Sequence, residues 1–149
     1  MAKYNSDRER KTKPATYRLL IKSDVIDGIC EKILHKMIVE KRYLQPDFNA
    51  ATLAKEIDTN TRYISAAVSL RFGMNFSQLI SGYRVREALY MLADKQNAGM
   101  QMLEVAQRSG FASRQSFYAA FYRAYHKTPK EYQAEVLAKQ AGRHKKKQQ

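Results

Sequence analysis

The sequence VAQRSGFASRQSFYAAFYRAYHKTPKEY, residues 105–132, carries the clearest indication of local structure in the chain. A short helix is expected to end at Ser109-Gly110, because glycine can take the left-handed backbone that turns the chain sharply. Ser113 then offers a hydroxyl N-cap to a second helix. That helix has apolar residues at helical spacing, namely Phe117, Ala120, Phe121 and Ala124. Two short helices that meet at a glycine turn predict a helix-turn-helix, whose second helix is the one that enters a DNA major groove.

The other face of this second helix carries side chains that can donate hydrogen bonds, namely Arg114, Gln115, Tyr118 and Tyr122. Downstream, Thr128-Pro129-Lys130-Glu131 predicts a capping box with proline at the first position of a last helix. We expect that last helix to fray by about residue 140, leaving a solvated basic tail.

An internal repeat places a second copy of this plan upstream. Beyond the turn, an offset of 53 residues pairs the apolar positions Ile64 with Phe117, Ala67 with Ala120 and Val68 with Phe121. The same offset pairs Gly73 with His126. Both positions are therefore expected to end a helix with a positive φ, which histidine tolerates better than most residues.

Between the two copies, Asn75 can cap a long helix over about residues 76–93, a rod of about 27 Å. Such a rod suits two recognition helices that enter successive major grooves about 34 Å apart. Upstream, Ser23 can cap a helix that runs to about Arg42 and has an apolar stripe: Ile26, Ile29, Cys30, Ile33, Leu34, Met37 and Ile38. We favour packing of this helix on the domain over dimerisation, because it is too short for a sustained coiled coil. Cys30 is then a buried structural thiol.

GFASRQSFYAAFYRAYHKTPKEY resembles the signature of the AraC/XylS-type transcriptional regulators. The residues in step with that signature are Gly110, Phe111, Phe117, Phe121, Thr128, Pro129 and Tyr132. Departures from it are Gln115, Ser116, Tyr122, His126 and Gln133. Arg84, Ala88 and Leu92 match the pattern of the family's linker helix. The resemblance covers about residues 23–135.

The resemblance implies an all-α fold with two helix-turn-helix subdomains joined by a long linker helix and an additional N-terminal helix. Seven principal helices are expected to start near residues 24, 50, 60, 76, 100, 113 and 129. The expected segments are a flexible basic N-terminus at 1–22, a DNA-binding domain at 23–140, helix-turn-helix units at about 50–73 and 100–125, a linker helix at about 76–93 and a basic tail at 141–149.

The resemblance also implies which residues bind DNA on the recognition helices, at about 60–71 and 113–125. The candidates are Asn60, Thr61, Arg62, Ser65, Ser69, Ser113, Arg114, Gln115 and Tyr118. Arginine can bond guanine bidentately and glutamine can do so with adenine. Ala66 and Ala119 should also project outward, where relatives often carry a long polar residue. Base contacts would then rest mostly on Arg62, Arg114 and Gln115. Tyr118 could equally stack, bond a phosphate or make a rim contact within the protein.

The net charge of +13 is concentrated at the chain ends, with +5 in residues 1–22, +5 in residues 139–149 and only +3 between them. These tails either bind a polyanion or simply keep the protein in solution. No apolar run of membrane-spanning length and no secretory signal is present, and one cysteine fits a reducing cytoplasm.

No paired acids, nucleophile–base set, phosphate-binding glycine loop or metal-ligand spacing indicates an enzyme or a cofactor. We expect a cytoplasmic, monomeric regulator of transcription that binds double-stranded DNA and needs no cofactor, metal or membrane. RNA polymerase is a further expected partner, because relatives often touch it, and no domain for a small-molecule effector is evident. The alternatives are an output or interaction module of a larger regulatory system, or a basic helical RNA-binding protein.

Overall fold

A computed structural model describes the backbone of residues 21–147 and the side chains of residues 21–144. This part of the chain is all-helical and contains no strand. Its α-helices are α1 Ser23–Leu34, α2 Ala50–Glu56, α3 Thr61–Phe72, α4 Phe76–Ala93, α5 Met102–Arg108, α6 Arg114–Tyr125 and α7 Pro129–Lys147. The predicted fold class is therefore confirmed. The predictions made for residues 1–20, 148 and 149 lie outside the described residues.

The N-terminal helix differs from its prediction at both ends. Its N-cap position is Lys22, without a side-chain cap, whereas Ser23 is already helical. At its other end α1 continues as a π-helix over His35–Val39 and stops before Lys41, whose φ is 50°. A π-helix has a wider turn than an α-helix, so the apolar stripe changes face there. Ile38, which was predicted to lie on that stripe, is 61% exposed.

The first of two compact units comprises residues 21–39 and 50–76 of the described chain. Within it, α1 packs on α3, as the sequence predicted. The Cys30 thiol is buried and lies 3.8 Å from the Ala67 carbonyl oxygen, to which it donates. Burial raises the pKa of Cys30, so the thiol stays neutral. Arg71 of α3 also donates to Asp27 Oδ1 at 2.8 Å and to Ser23 Oγ at 3.0 Å.

The second unit comprises residues 40–49 and 77–147 of the described chain. Its apolar core consists of Val85, Ala88, Leu92, Met102, Val105, Ala106, Phe111, Phe117, Ala120 and Phe121. Ala124 was predicted to join this core but is exposed; in the last turn of α6 it is the ring of Tyr125 that packs, on Phe121 and on Tyr132 of α7. The last helix was expected to fray near residue 140. It continues to Lys147, and Gln140 Nε2 donates to the Ala93 carbonyl oxygen at 2.9 Å, which fixes α7 to the end of α4.

Residues 40–49 have little regular structure but pack tightly within the second unit. The Arg84 guanidinium donates from Nε to the Tyr43 carbonyl oxygen at 2.8 Å and from Nη2 to the Gln45 carbonyl oxygen at 2.9 Å. Burial lowers the pKa of Arg84. The Tyr43 ring stacks on Tyr83, with centroids 5.5 Å apart. Burial and the neighbouring Glu87 carboxylate raise the pKa of Tyr43 to about 12.

The turn between α5 and α6 lies against this same segment. Gly110 has a φ of 95° there. A Cβ added to it would overlap the Tyr43 carbonyl oxygen and would lie 3.0 Å from Leu44 Cα. Ser109 is fully buried, and its hydroxyl donates to the Val105 carbonyl oxygen at 2.7 Å, which closes the end of α5. Only glycine fits this turn, because it must have a positive φ and no side chain.

Residues 21–147 show neither a candidate membrane-spanning helix nor a candidate metal site. No helix in this range is both long enough and apolar enough to cross a bilayer. Across the same range, no group of three or more His, Cys, Asp or Glu side chains is arranged to hold a metal ion.

Replacing Gly110 with alanine should destabilise the protein strongly. The positive φ alone costs about 1–3 kcal/mol for a residue with a Cβ, and the overlap with the Tyr43 carbonyl adds to that cost. Gly82→Ala is the matched control, because Gly82 lies inside α4 with open space around it. That change should stabilise the helix by about 0.5–1 kcal/mol. Urea unfolding of both variants measures the difference, and equal midpoints would contradict the proposed tight turn.

Replacing Arg84 with lysine should also lower the free energy of unfolding, because an ammonium group cannot make the two-pronged contact with both carbonyls. We expect a loss of about 1.5–3 kcal/mol, the usual value of a hydrogen bond from a charged donor. Arg86→Lys is the control on the same helix, since Arg86 is exposed and the change there should cost less than about 0.5 kcal/mol. Thermal unfolding followed by circular dichroism provides the comparison.

Candidate nucleic-acid interface

Each unit contains a helix-turn-helix, formed by α2 and α3 in the first and by α5 and α6 in the second. The second turn contains Gly110, whereas the first contains Asp58, with a φ of 57°. Aspartate is one of the few residues with a side chain that tolerate this conformation. The sequence did not indicate Asp58 as the counterpart of Gly110, because the two residues have no chemical similarity.

Both second helices begin with a side-chain cap. Asn60 Oδ1 accepts from the Tyr63 N–H at 3.0 Å, and Ser113 Oγ accepts from the Ser116 N–H at 3.0 Å. The hydroxyl of Ser116 completes a capping box by accepting from the Ser113 N–H at 3.3 Å. These candidate DNA-binding residues therefore also fix where each helix starts. Asn60 is an exposed residue, and the Ser113 hydroxyl already donates to Ser116 Oγ.

Both second helices also end in the same way. Gly73 has a φ of 66° and His126 a φ of 57°, as the repeat predicted. The three paired apolar positions are buried in both helices: Ile64, Ala67, Val68, Phe117, Ala120 and Phe121. Because caps and core positions match, equivalent residues of α3 and α6 can be compared directly.

In α3 the outward face carries Arg62, Ser65 and Ser69, which lie within about 60° of one another around the helix axis. Arg62 and Ser65 are exposed, as is the neighbouring Thr61, while Ser69 is half-buried. Ala66 was expected to project outward too, but it is only 1% exposed. The run of three consecutive buried residues at 66–68 spans about 200° of the helix, so the packed face of α3 is wider than a single stripe.

In α6 the equivalent outward positions are Gln115, Tyr118 and Tyr122, with Ala119 beside them. Gln115 and Ala119 are exposed, Tyr118 is half-buried, and Tyr122 is 57% exposed. Tyr122 therefore lies at the centre of this face, as Ser69 does in α3. The sequence placed Tyr122 on the correct face but did not include it among the DNA-binding candidates.

Arg114 lies about 100° around the helix from Gln115, at the edge of the outward face. Its guanidinium is 4.9 Å from the centroid of the Tyr118 ring, and Nη2 is 3.4 Å from the Tyr118 hydroxyl. Beside it is an open groove of about 600 Å³ lined in part by Lys130 and Gln133 at the start of α7. Sequence analysis missed both of these groove residues, since they lie outside the recognition helix.

The charges on both helices favour an anionic partner. Neither α3 nor α6 contains an acidic residue, and the N-terminus of a helix carries a partial positive charge. The arginines are not equivalent, however. Arg71 is held by Asp27 and Ser23 of α1, whereas Arg62 and Arg114 are exposed on or beside the outward faces.

Comparisons with known proteins agree with this geometry. A family profile described as a helix-turn-helix domain matches residues 53–135. No curated protein has a sequence significantly similar to this chain.

Several solved structures are similar to this one. The C-terminal domain of the two-component response regulator yesN from Fusobacterium nucleatum is 26% identical, with a TM-score of 0.60, covering 69% of this chain and 97% of that one. An AraC-type transcriptional regulator from Chromobacterium violaceum is 15% identical, with a TM-score of 0.62 and coverages of 74% and 96%. A DNA-binding transcriptional dual regulator from Escherichia coli K-12 is 21% identical, with a TM-score of 0.59 and coverages of 80% and 96%.

The family profile spans more than half of the chain, and the duplicated helix-turn-helix geometry agrees with it. This chain therefore belongs to the AraC-type helix-turn-helix family of DNA-binding transcriptional regulators.

Proposed function

We propose that the chain is a sequence-specific regulator of transcription that inserts α3 and α6 into successive major grooves of duplex DNA. The observation that carries the proposal is the duplication itself. Each helix has a side-chain N-cap, a left-handed C-cap and an outward face without acids. A single chain thus supplies two recognition helices, and we expect a monomer to bind one duplex in the bacterial cytoplasm.

Base contacts on α3 are assigned to Arg62, with Ser65 and Ser69 beside it. On α6 they are assigned to Gln115, with Tyr118 and Tyr122 beside it. Arginine matches guanine and glutamine matches adenine through paired hydrogen bonds in the major groove. Three of the remaining candidates lie at the helix N-termini, where backbone phosphates usually bind: Asn60, Thr61 and Ser113. The fourth is Arg114, which the sequence assigned to base contacts and which lies at the edge of the outward face of α6.

The second unit is expected to discriminate more among bases than the first. Its outward face presents an amide and two phenols, whereas the first presents one arginine followed by short hydroxyls. Longer polar side chains reach base edges that serines do not reach from the same helix position. The first unit would then contribute more to anchoring on the phosphate backbone.

A second candidate function is that of an output domain within a larger regulatory protein. It is favoured by two similar structures that are themselves C-terminal domains of response regulators, from Fusobacterium nucleatum and Geobacillus stearothermophilus. In either role the DNA contacts are the same. RNA polymerase is a further proposed partner, and co-purification with the polymerase on promoter DNA would test it.

Selection of bound duplexes from a random DNA pool should recover a preferred site with two half-sites about 10–10.5 base pairs apart. Insertion of five base pairs between them should abolish the preference, because one recognition helix would then face the wrong side of the duplex. Sedimentation should give one protein per duplex. Equal binding to an RNA hairpin of similar length, or recovery of no preferred sequence, would exclude the proposal.

Arg62→Ala and Gln115→Ala should each relax the preference at one base pair, in different half-sites, at a cost of about 1–3 kcal/mol on the preferred site. Binding to a random duplex should change little. Arg86→Ala and Gln96→Ala remove the same side chains from exposed positions outside the recognition helices and serve as controls. Titration against single-base variants of the selected site is the measurement; uniform weakening on every duplex would refute the assignment of these two residues to bases.

A further inference from the structure

The groove beside α6 has the composition of an anion site. Its polar lining includes Arg114, Lys130 and Gln133, and its apolar lining includes Met100, Met102 and Leu103. None of the residues lining it is acidic. Two cations that face one concavity without a neutralising carboxylate repel each other, so an anion placed there is favoured.

Within the described part of the chain, the Lys130 ammonium group and the Gln133 amide nitrogen have no side-chain partner. Lys130 makes no ion pair with residues 21–144, whereas its neighbour Lys127 is held by Glu135 at 2.7 Å. The Gln133 Nε2 atom is shielded from solvent and has no hydrogen-bond partner in the same range. An unpartnered buried donor costs free energy, and Gln133 lines the groove, so an acceptor bound there would be favoured as its partner.

The position of the groove indicates where the anion comes from. It is formed by the residues at the start of α5, the first residue of α6 and the first turns of α7. When the second helix of a helix-turn-helix occupies the major groove, the first helix crosses the phosphate backbone. A phosphate that flanks the major groove would therefore lie near the start of α5, next to Arg114.

We propose that Arg114, Lys130 and Gln133 form a clamp for one backbone phosphodiester of the duplex bound by the second unit. This inference rests on the proposed function. It also changes the role of Arg114, which the sequence assigned to base contacts. With its guanidinium over the Tyr118 ring and its side chain lining the groove, Arg114 contacts the phosphate. Base discrimination in α6 is then left to Gln115, Tyr118 and Tyr122.

The central test compares Lys130→Gln with Lys127→Gln, which makes the same charge change at a nearby lysine that is already paired. Each phosphate contact contributes about 0.9 to the slope of log K against log salt concentration. Because both cations are proposed to hold the same phosphate, Lys130→Gln should lower the slope by up to that amount on both the selected and a random duplex, and Arg114→Gln should do the same without exceeding it. Lys127→Gln should leave it unchanged. Equal slopes for Lys130→Gln and Lys127→Gln would overturn the clamp.

Gln133→Leu separates a binding role from a structural one. The variant removes an unpartnered buried amide, so its thermal midpoint should equal or exceed that of the wild type. Its affinity for both duplexes should nevertheless fall by about 10- to 100-fold, the usual effect of one lost hydrogen bond to a charged group. A lower midpoint with unchanged affinity would make Gln133 a packing residue and remove it from the clamp.

Duplexes with single methylphosphonate linkages identify the phosphate directly. One neutralised linkage flanking the second half-site should weaken the wild type but cause no further loss in Lys130→Gln. If no linkage behaves this way while inorganic phosphate competes with the duplex at matched ionic strength, the groove takes a free anion and the assignment to DNA is overturned. Absence of salt-dependent duplex binding by the wild type would instead refute the proposed function itself.

Discussion

The Arg84 guanidinium fixes residues 40–49 within the second unit by donating to the carbonyl oxygens of Tyr43 and Gln45. A segment with little regular structure leaves backbone carbonyls without partners, and a planar guanidinium can satisfy two of them at once. Placing this cation where it is half-buried has a cost, which is visible in its lowered pKa. The same hydrogen bond fixes the position of the Tyr43 carbonyl oxygen, which lies so close to Gly110 that a side chain there would overlap it.

That turn connects the packing of the unit to its binding surface. Because α6 starts three residues after Phe111, a change in the backbone conformation of the turn would displace Arg114 and Gln115 together. The two side chains point about 100° apart, one towards the groove that includes Lys130 and the other outward. A fixed turn therefore determines how the proposed phosphate contact and the proposed base contact are spaced.

The two helix-turn-helix units share a backbone plan but differ in surface. Identical roles at the caps are filled by Asn60 and Ser113, and by Gly73 and His126. These pairs satisfy the same backbone requirements with different side chains, so the plan tolerates sequence change. The outward faces are under no such constraint. This difference is what would allow α3 and α6 to divide the proposed anchoring and base discrimination between them, with Tyr122 present only in the second unit.

Local chemistry was sufficient to predict the existence of the helices, the caps of α3 and α6 and the paired core positions, because hydrophobic periodicity and capping depend on residues a few positions apart. Features that involve distant parts of the chain were not predictable in this way. Ala66 is as small and apolar as the exposed Ala119, and only packing separates them. Likewise, Lys130 and Gln133 join Arg114 in one groove only after α7 has packed against α6. Periodicity determines the face on which a residue lies, whereas the tertiary structure decides what covers that face and which charges meet beside it.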